Sequence, residues 1–346
     1  MKELKELVRP NIWALTPYSC ARNEFTGEAR IYMDANENNL VGTEECRYPD
    51  PSQAEVRSRV AKRRGLKPSQ VMIGNGSDET IDLVYRVFCR PGVDNVVAIE
   101  PTYGMYRVCA DVNDVEYRAV LLNEIDFSLD AEKLMAATDE RTKAIWLCSP
   151  NNPTGNRLNE AEVEKVVAQF DGLVVVDEAY VDFAGESLAG WIGKYKNLII
   201  LQTFSKAWGM AGLRCGIALA SEEIISLFDK VKYPYNVNYL TQKIVAEKMD
   251  DMAGFEDLLR RQIEARDYLV SELQSGRIGI VRHVYRTDAN FVLVRFDNPD
   301  GVYKTLVEKG IITRNRNRVK LCAGCIRIST GTREENRELL EELKKM

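Results

Sequence analysis

Apolar positions along this chain gather into short continuous runs, separated by helical stripes and polar turns. Residues 71–74 read as a short strand. Residues 78–90 follow as a helix, with Ile81, Val84, Tyr85 and Phe88 at helical spacing. Further strands are predicted at 95–99, 143–148, 172–176 and 197–201. The segment 149–155, Ser-Pro-Asn-Asn-Pro-Thr-Gly, is a strong turn signal. Asn159 then caps a helix, with Glu162 three residues on as the second half of a capping box. Strands alternating with helices predict an α/β fold with a mainly parallel sheet covered on both faces.

The pattern changes after about residue 250. An amphipathic helix is predicted over 255–273, with Phe255, Leu258, Leu259, Leu269, Val270 and Leu273 on its apolar side. Short strands follow at 291–295, 311–314 and 325–329. A last helix starts at Thr332, with Glu335 completing a capping box. These elements imply a smaller α+β C-terminal domain. Residues 1–30 are too polar and turn-rich to form a core and read as an arm lying on another surface. The expected division is an arm over 1–30, a large domain over 31–250 and a small one over 251–346.

Composition narrows the class. A length of 346 residues suggests about two domains, and 45% hydrophobic with 29% charged residues is an ordinary globular profile. No apolar run approaches the roughly 20 residues that a membrane helix needs. The first residues carry charge every few positions and no apolar core, so no signal peptide is expected. A net charge of −5 with interspersed signs argues against a nucleic-acid partner, though not against a small anionic substrate held by local arginines. Eight scattered cysteines without an export signal point to free thiols and a cytoplasmic location. Cys322 and Cys325 are the one pair at metal spacing. No second pair of ligands and only one histidine, His283, accompany them, so no metal site is expected.

In open α/β sheets, ligands bind beyond the carboxyl ends of the strands. Polar residues gather at those predicted ends: Asn75 to Asp78, Asn151 and Asn152, Asp177 to Tyr180, and Gln202 to Lys206. A lysine just past a buried strand has its pKa lowered by desolvation and nearby cations, and can then attack a carbonyl to form a Schiff base. Pyridoxal phosphate requires such a lysine, an acid at the pyridine nitrogen and an anion pocket. Lys206 and Asp177 suit the first two roles. Gly76, Ser77 and Asp78, opening a helix, suit the third, with Ser205 and Arg214 adding a hydroxyl and a guanidinium. Each residue also has a purely structural alternative. A strand-end Asp often caps a turn, Gly-Asn-Gly-Ser is a common turn, and a lone loop lysine is usually solvated. The segment from Arg314 through Arg316 and Arg318 to Lys320 would, if extended, point four cations to one face. It also reads as an edge strand whose charge discourages pairing, which is the reading preferred for Arg316, Arg318 and Lys320.

Several stretches together resemble a known family. Residues 203–216, from Thr203 through Lys206 to Gly216, resemble the lysine signature of fold-type I pyridoxal-phosphate aminotransferases. Residues 149–155 resemble their Asn-Pro-x-Gly turn, and Asp177 to Tyr180 their Asp-x-x-Tyr. Residues 15–22, 34–38, 47–51, 74–79, 101–104 and 326–332 narrow the resemblance to the histidinol-phosphate aminotransferases, over nearly the whole chain and in order. Two positions depart from that pattern: Asn39 stands where the family usually has Pro, and Thr330 where it has Val.

The resemblance implies a large domain with a mainly parallel seven-stranded sheet plus the smaller C-terminal domain, and a homodimer with shared active sites. It implies exchange of an amino group between L-histidinol phosphate and 2-oxoglutarate, giving imidazole-acetol phosphate and L-glutamate. It casts Lys206 as the cofactor lysine and proton shuttle. Asp177 pairs with the ring nitrogen, Tyr180 and Asn152 bond the ring oxygen, and Tyr103 stacks on the ring. Ser77, Asp78, Ser205 and Arg214 hold the cofactor phosphate, joined by Tyr48 from the neighbouring subunit. Arg327 and Arg314 hold the substrate anion, with Tyr18 and Tyr235 as further substrate contacts. The alternatives left open are an aromatic-amino-acid aminotransferase or an amino-acid-phosphate decarboxylase on the same scaffold, or a non-catalytic pyridoxal-phosphate-binding regulator.

Overall fold

The computed structural model describes residues 2–25, 27 and 29–346, without the side chains of Arg22 and Asn23. Seven strands form the larger sheet: β1 (Val71–Asn75), β2 (Asn95–Glu100), β3 (Glu116–Leu121), β4 (Thr142–Cys148), β5 (Leu173–Asp177), β6 (Leu198–Thr203) and β7 (Cys215–Leu219). Their order is β1-β7-β6-β5-β4-β2-β3, and β7 alone runs against the others. The carboxyl ends of β1, β4, β5 and β6 therefore meet along one edge of the sheet, together with the start of β7. Alternation along each strand sends side chains to two separate cores. Val174 and Val176 of β5 enter one, Leu173 and Val175 the other. Each fully buried aliphatic side chain of this kind contributes roughly 1.5–3 kcal/mol. The mainly parallel, doubly covered sheet expected from the sequence is the one observed.

Four antiparallel strands make the smaller sheet, in the order β10-β11-β9-β8. They are β8 (Val281–Val284), β9 (Phe291–Phe296), β10 (Arg314–Asn315) and β11 (Cys325–Ser329). One face packs on the helices Met252–Gln274 and Arg333–Lys344 through Leu269, Leu273, Val292, Val294, Ile326, Ile328 and Leu340. The other face meets the larger sheet's core through Leu293 and Cys325. That alternation decides where Arg327 points: with Ile326 and Ile328 in the small core, Arg327 turns to the opposite face, toward the large sheet. Leu7 and Val8, in the first residues, are buried against the large core, and the Arg9 N–H donates to the Val87 carbonyl at 3.0 Å.

Three local expectations need correction. The strand predicted over 311–314 is only the two-residue β10, because the chain turns away after Arg316. The four cations from Arg314 to Lys320 consequently do not share one extended face, and Lys320 leaves to pair with Glu100 at 2.7 Å. Asn159 caps its helix as expected, but Glu162 does not close a capping box. Its carboxylate instead accepts from the Ala131 N–H. Thr332 and Glu335 do form the reciprocal box. Strands β3, β7 and β8 were not anticipated. β3 is a half-exposed edge strand, β7 carries Gly216 straight after a polar loop, and β8 is Val-Arg-His-Val with two exposed residues.

Candidate active site

The edge where the strand ends meet opens into a cleft of about 740 Å³, closed on its far side by the small sheet. Asp177 is the last residue of β5 and only 2% exposed. Its carboxylate accepts from the Tyr106 hydroxyl at 2.6 Å and the Ala179 N–H at 3.0 Å. Tyr106 is positioned by stacking on Trp146 at 4.8 Å, on the same sheet face as Val175. Burial raises the Asp177 pKa, and the Tyr106 hydrogen bond and the ammonium of Lys206 oppose that rise. A buried carboxylate of this kind is best matched by a cation brought into the cleft.

Lys206 follows β6 in a turn that is clamped from several sides. Phe204 is buried, the Gly209 N–H donates to the Lys206 carbonyl at 3.0 Å, and the Met210 N–H returns to the Phe204 carbonyl at 3.0 Å. Trp208 stacks on Phe255 of the helix Met252–Gln274 at 3.9 Å, and Gln262 of that helix donates to the Ala207 carbonyl at 2.9 Å. The turn is therefore held from within and by the helix Met252–Gln274 while its lysine faces the cleft. The ammonium lies 5.6 Å from the centre of the Tyr180 ring. Its pKa is lowered by burial first, then by Arg327 and Arg214, with Asp177 acting in the other direction. A lowered pKa makes the neutral, nucleophilic amine more available near neutral pH.

Next to Lys206 lies a glycine-dependent cradle. The helix Ser77–Phe88 starts behind Gly76, which has φ +76° and no side chain capping the first N–H groups. A Cβ on Gly216 of β7 would fall 2.2 Å from the Gly76 carbonyl carbon and the Ser77 nitrogen, so β7 touches the turn directly. Arg214 sits in the left-handed region at φ +50° and its carbonyl accepts from the Gly76 N–H at 2.8 Å. Its guanidinium reaches the Asp78 carboxylate at 3.5 Å, which also accepts from the Tyr103 hydroxyl at 3.1 Å. Ser205 lines the same end, its Oγ accepting from Thr203 at 3.0 Å. An uncapped helix start with a guanidinium and hydroxyls around it suits a phosphate group. The cradle, Lys206 and the buried Asp177 fit the phosphate, aldehyde and ring nitrogen of pyridoxal phosphate.

Across the cleft the small sheet contributes cations. Arg314 of β10 is the Cα partner of Arg327 of β11. Arg327 donates to the Asn152 side-chain oxygen, and Asn152 in turn reaches the Tyr180 hydroxyl at 3.5 Å. Arg316 lines the cleft beside them. The sequence reading prefers a solvated edge for it; in the structure its N–H continues the pairing with β11 through the Cys325 carbonyl at 2.9 Å, which keeps it beside the cleft. Tyr106 was also missed, although it stands three residues after Tyr103, in the first turn of the helix Met105–Val112. Three expected site residues do not line the cleft within one chain. Tyr18 is 74% exposed, and Tyr48, 51% exposed, stacks on Tyr235 at 4.5 Å. His283 lies exposed on β8, and Cys322 and Cys325 are buried free thiols. Among the described residues no cluster of metal-ligating side chains occurs.

Comparison with known proteins supplies the context for this geometry. The family model for aminotransferase class I and II matches residues 21–343. A histidinol-phosphate aminotransferase of Bacteroides thetaiotaomicron is 52% identical over 100% of this chain and 99% of its own. The crystal structure of the histidinol-phosphate aminotransferase from Clostridium acetobutylicum superposes with a TM-score of 0.80 at 24% identity, covering 89% of this chain and 93% of that one. The Sinorhizobium meliloti histidinol-phosphate aminotransferase, solved in complex with pyridoxal-5'-phosphate, gives a TM-score of 0.78 at 22% identity, covering 89% and 84%. The last two likenesses concern the fold alone.

Proposed function

We propose a reaction from one premise: this chain belongs to the class I and II aminotransferases. It is a pyridoxal-phosphate enzyme of histidine biosynthesis. It exchanges the amino group between L-histidinol phosphate and 2-oxoglutarate, giving imidazole-acetol phosphate and L-glutamate. The observation that carries the substrate assignment is the cross-strand pair Arg314 and Arg327, which lies across the cleft from Lys206 and has no acidic partner among the described residues. Like charges facing each other on a ladder are unfavourable unless an anion joins them. The phosphate of histidinol phosphate and the carboxylates of glutamate and 2-oxoglutarate meet that need in turn.

When bound, pyridoxal phosphate supplies an electron sink for the pair released as the substrate Cα–H bond breaks. The chain does the rest. Lys206 would hold the cofactor through its amine, and that amine, once free, is placed to take the proton from the substrate Cα as general base and to return it as general acid. Asp177 would keep a proton on the ring nitrogen, and Tyr106 holds that carboxylate in place. Asn152 and Tyr180 would serve the cofactor's ring oxygen, and Tyr103 would lie against the ring. Ser77, the Asp78 main chain, Ser205 and Arg214 anchor the phosphate in the cradle.

The chain acts as a homodimer with shared sites. Supporting this, Tyr18, Ile31, Met33, Leu40, Val41 and Tyr48 are exposed large apolar side chains within residues 18–48, a density that burial by a second subunit would relieve. Tyr48 then completes the partner's cofactor phosphate site, and Tyr18 and Tyr235 its substrate end. Eight free thiols suit a cytoplasmic, reducing setting.

Steady-state comparison of histidinol phosphate with phenylalanine and threonine phosphate tests the assignment. Histidinol phosphate is expected to give the highest kcat/KM. A better phenylalanine rate would point to an aromatic aminotransferase, and release of carbon dioxide from threonine phosphate to a decarboxylase. Purified protein is expected to be yellow, and borohydride to fix the cofactor on Lys206. Protein that stays colourless after pyridoxal phosphate is added would remove every form of the proposal, and coloured protein without turnover would indicate a regulator.

A further inference from the structure

We propose that Arg316 is a third anion-binding residue at the substrate end and sets the preference for a phosphate monoester over a carboxylate; this rests on the reaction proposed above. Arg316 lies two residues beyond Arg314, so both side chains leave the same face of the chain, and Arg314 is opposite Arg327. Three guanidiniums therefore line one end of the cleft.

The backbone, not charge pairing, puts Arg316 there. Its N–H donates to the Cys325 carbonyl at 2.9 Å, and its own carbonyl accepts from the Val319 N–H at 2.8 Å. The next residue, Asn317, accepts from the Gly324 N–H at 2.8 Å and closes the loop. The side chain makes no ion pair with any described residue, and its Nε is buried without a hydrogen-bond partner, as is the Nε of Arg327. Lys320, four residues on, shows the contrast: it is exposed and answered by Glu100 at 2.7 Å. Burial, Arg327 and Arg314 together push the Arg316 pKa down to about 10, which still leaves it cationic at neutral pH.

The number of cations identifies the anion. A carboxylate carries one charge on two oxygens, and a single guanidinium fork satisfies it. A phosphate monoester carries close to two charges on three terminal oxygens. Three guanidiniums around one spot exceed what a carboxylate uses and match the monoester. Glutamate and 2-oxoglutarate then bind through Arg327 and Arg314, and the phosphate-bearing partner uses Arg316 as well.

The test follows the half-reactions of histidinol phosphate, histidinol and glutamate separately in the holoenzyme and in Arg316→Gln. The expected result is a fall in kcat/KM of about 10–100-fold for histidinol phosphate, a change within about threefold for glutamate, and no change for histidinol. Arg316→Lys should recover part of the loss, since it restores charge without the fork. It also carries the same test if the Gln variant does not fold. Equal losses for histidinol phosphate and glutamate, or no loss for either, would overturn the role of Arg316. A wild-type enzyme that does not prefer histidinol phosphate to histidinol would instead overturn the proposed reaction, and the inference with it.

Discussion

At the carboxyl ends of the large sheet the carboxylates are answered by the chain itself, while on the facing edge of the small sheet three cations are not. Asp78 meets Tyr103 and Arg214, and Asp177 meets Tyr106 and the Ala179 N–H. Arg314, Arg316 and Arg327 line the cleft together and make no ion pair with any carboxylate among the described residues. The difference matches two kinds of occupant. A cofactor that stays through the catalytic cycle is served by a rigid cradle whose carboxylates the chain holds in place, with an uncapped helix start left for its phosphate. Substrates that alternate must find a site that is open and electrostatically unsatisfied each time, so the chain tolerates local repulsion there as the cost of turnover.

That contrast can be broken in order of effect. Lys206→Ala should lower kcat at least about 10⁴-fold, because it removes both the covalent anchor and the proton shuttle. Half-reaction kinetics would check this, and a surviving rate within tenfold of wild type would mean the proton is moved by another group. Gly216→Ala should destabilise the fold by about 1–3 kcal/mol and weaken cofactor retention, since its Cβ would strike Gly76 and Ser77. Denaturant midpoints and cofactor titration measure both. Arg314→Gln should do the opposite to stability. Relieving the cross-strand repulsion with Arg327 should raise the stability of the substrate-free protein by about 0.2–1 kcal/mol while KM for histidinol phosphate increases. A less stable Arg314→Gln protein would show that the cationic edge is not strained, and the contrast between the two ends would fall.

Much of this was legible along the chain. The runs at 143–148, 172–176 and 197–201 read as buried strands because both faces of each are covered, leaving no polar alternation to blur them. Lys206, Asp177, Asn152 and Ser77 were legible because strand ends in such sheets collect polar groups. β7 was hidden because its strand character comes from pairing between β1 and β6, whose partner residues lie 140–148 and 13–19 positions away in the chain. Arg316 was misplaced because a local pattern of alternating cations looks the same on a solvated edge as at the wall of a cleft.

The sequence by itself determined the buried central strands, the mainly parallel character of the large sheet and the identity of the residues at those strand ends, because each is encoded by local periodicity and turn chemistry. Only the tertiary structure decided which of those residues meet. It aimed Tyr106 at Asp177 through its stacking on Trp146, pressed Gly216 against the cradle, and paired the Arg316 N–H with Cys325 so that a third cation lines the cleft. Such meetings depend on which sheet face a side chain takes and which strand lies beside it, and both are fixed by contacts between segments far apart in the chain.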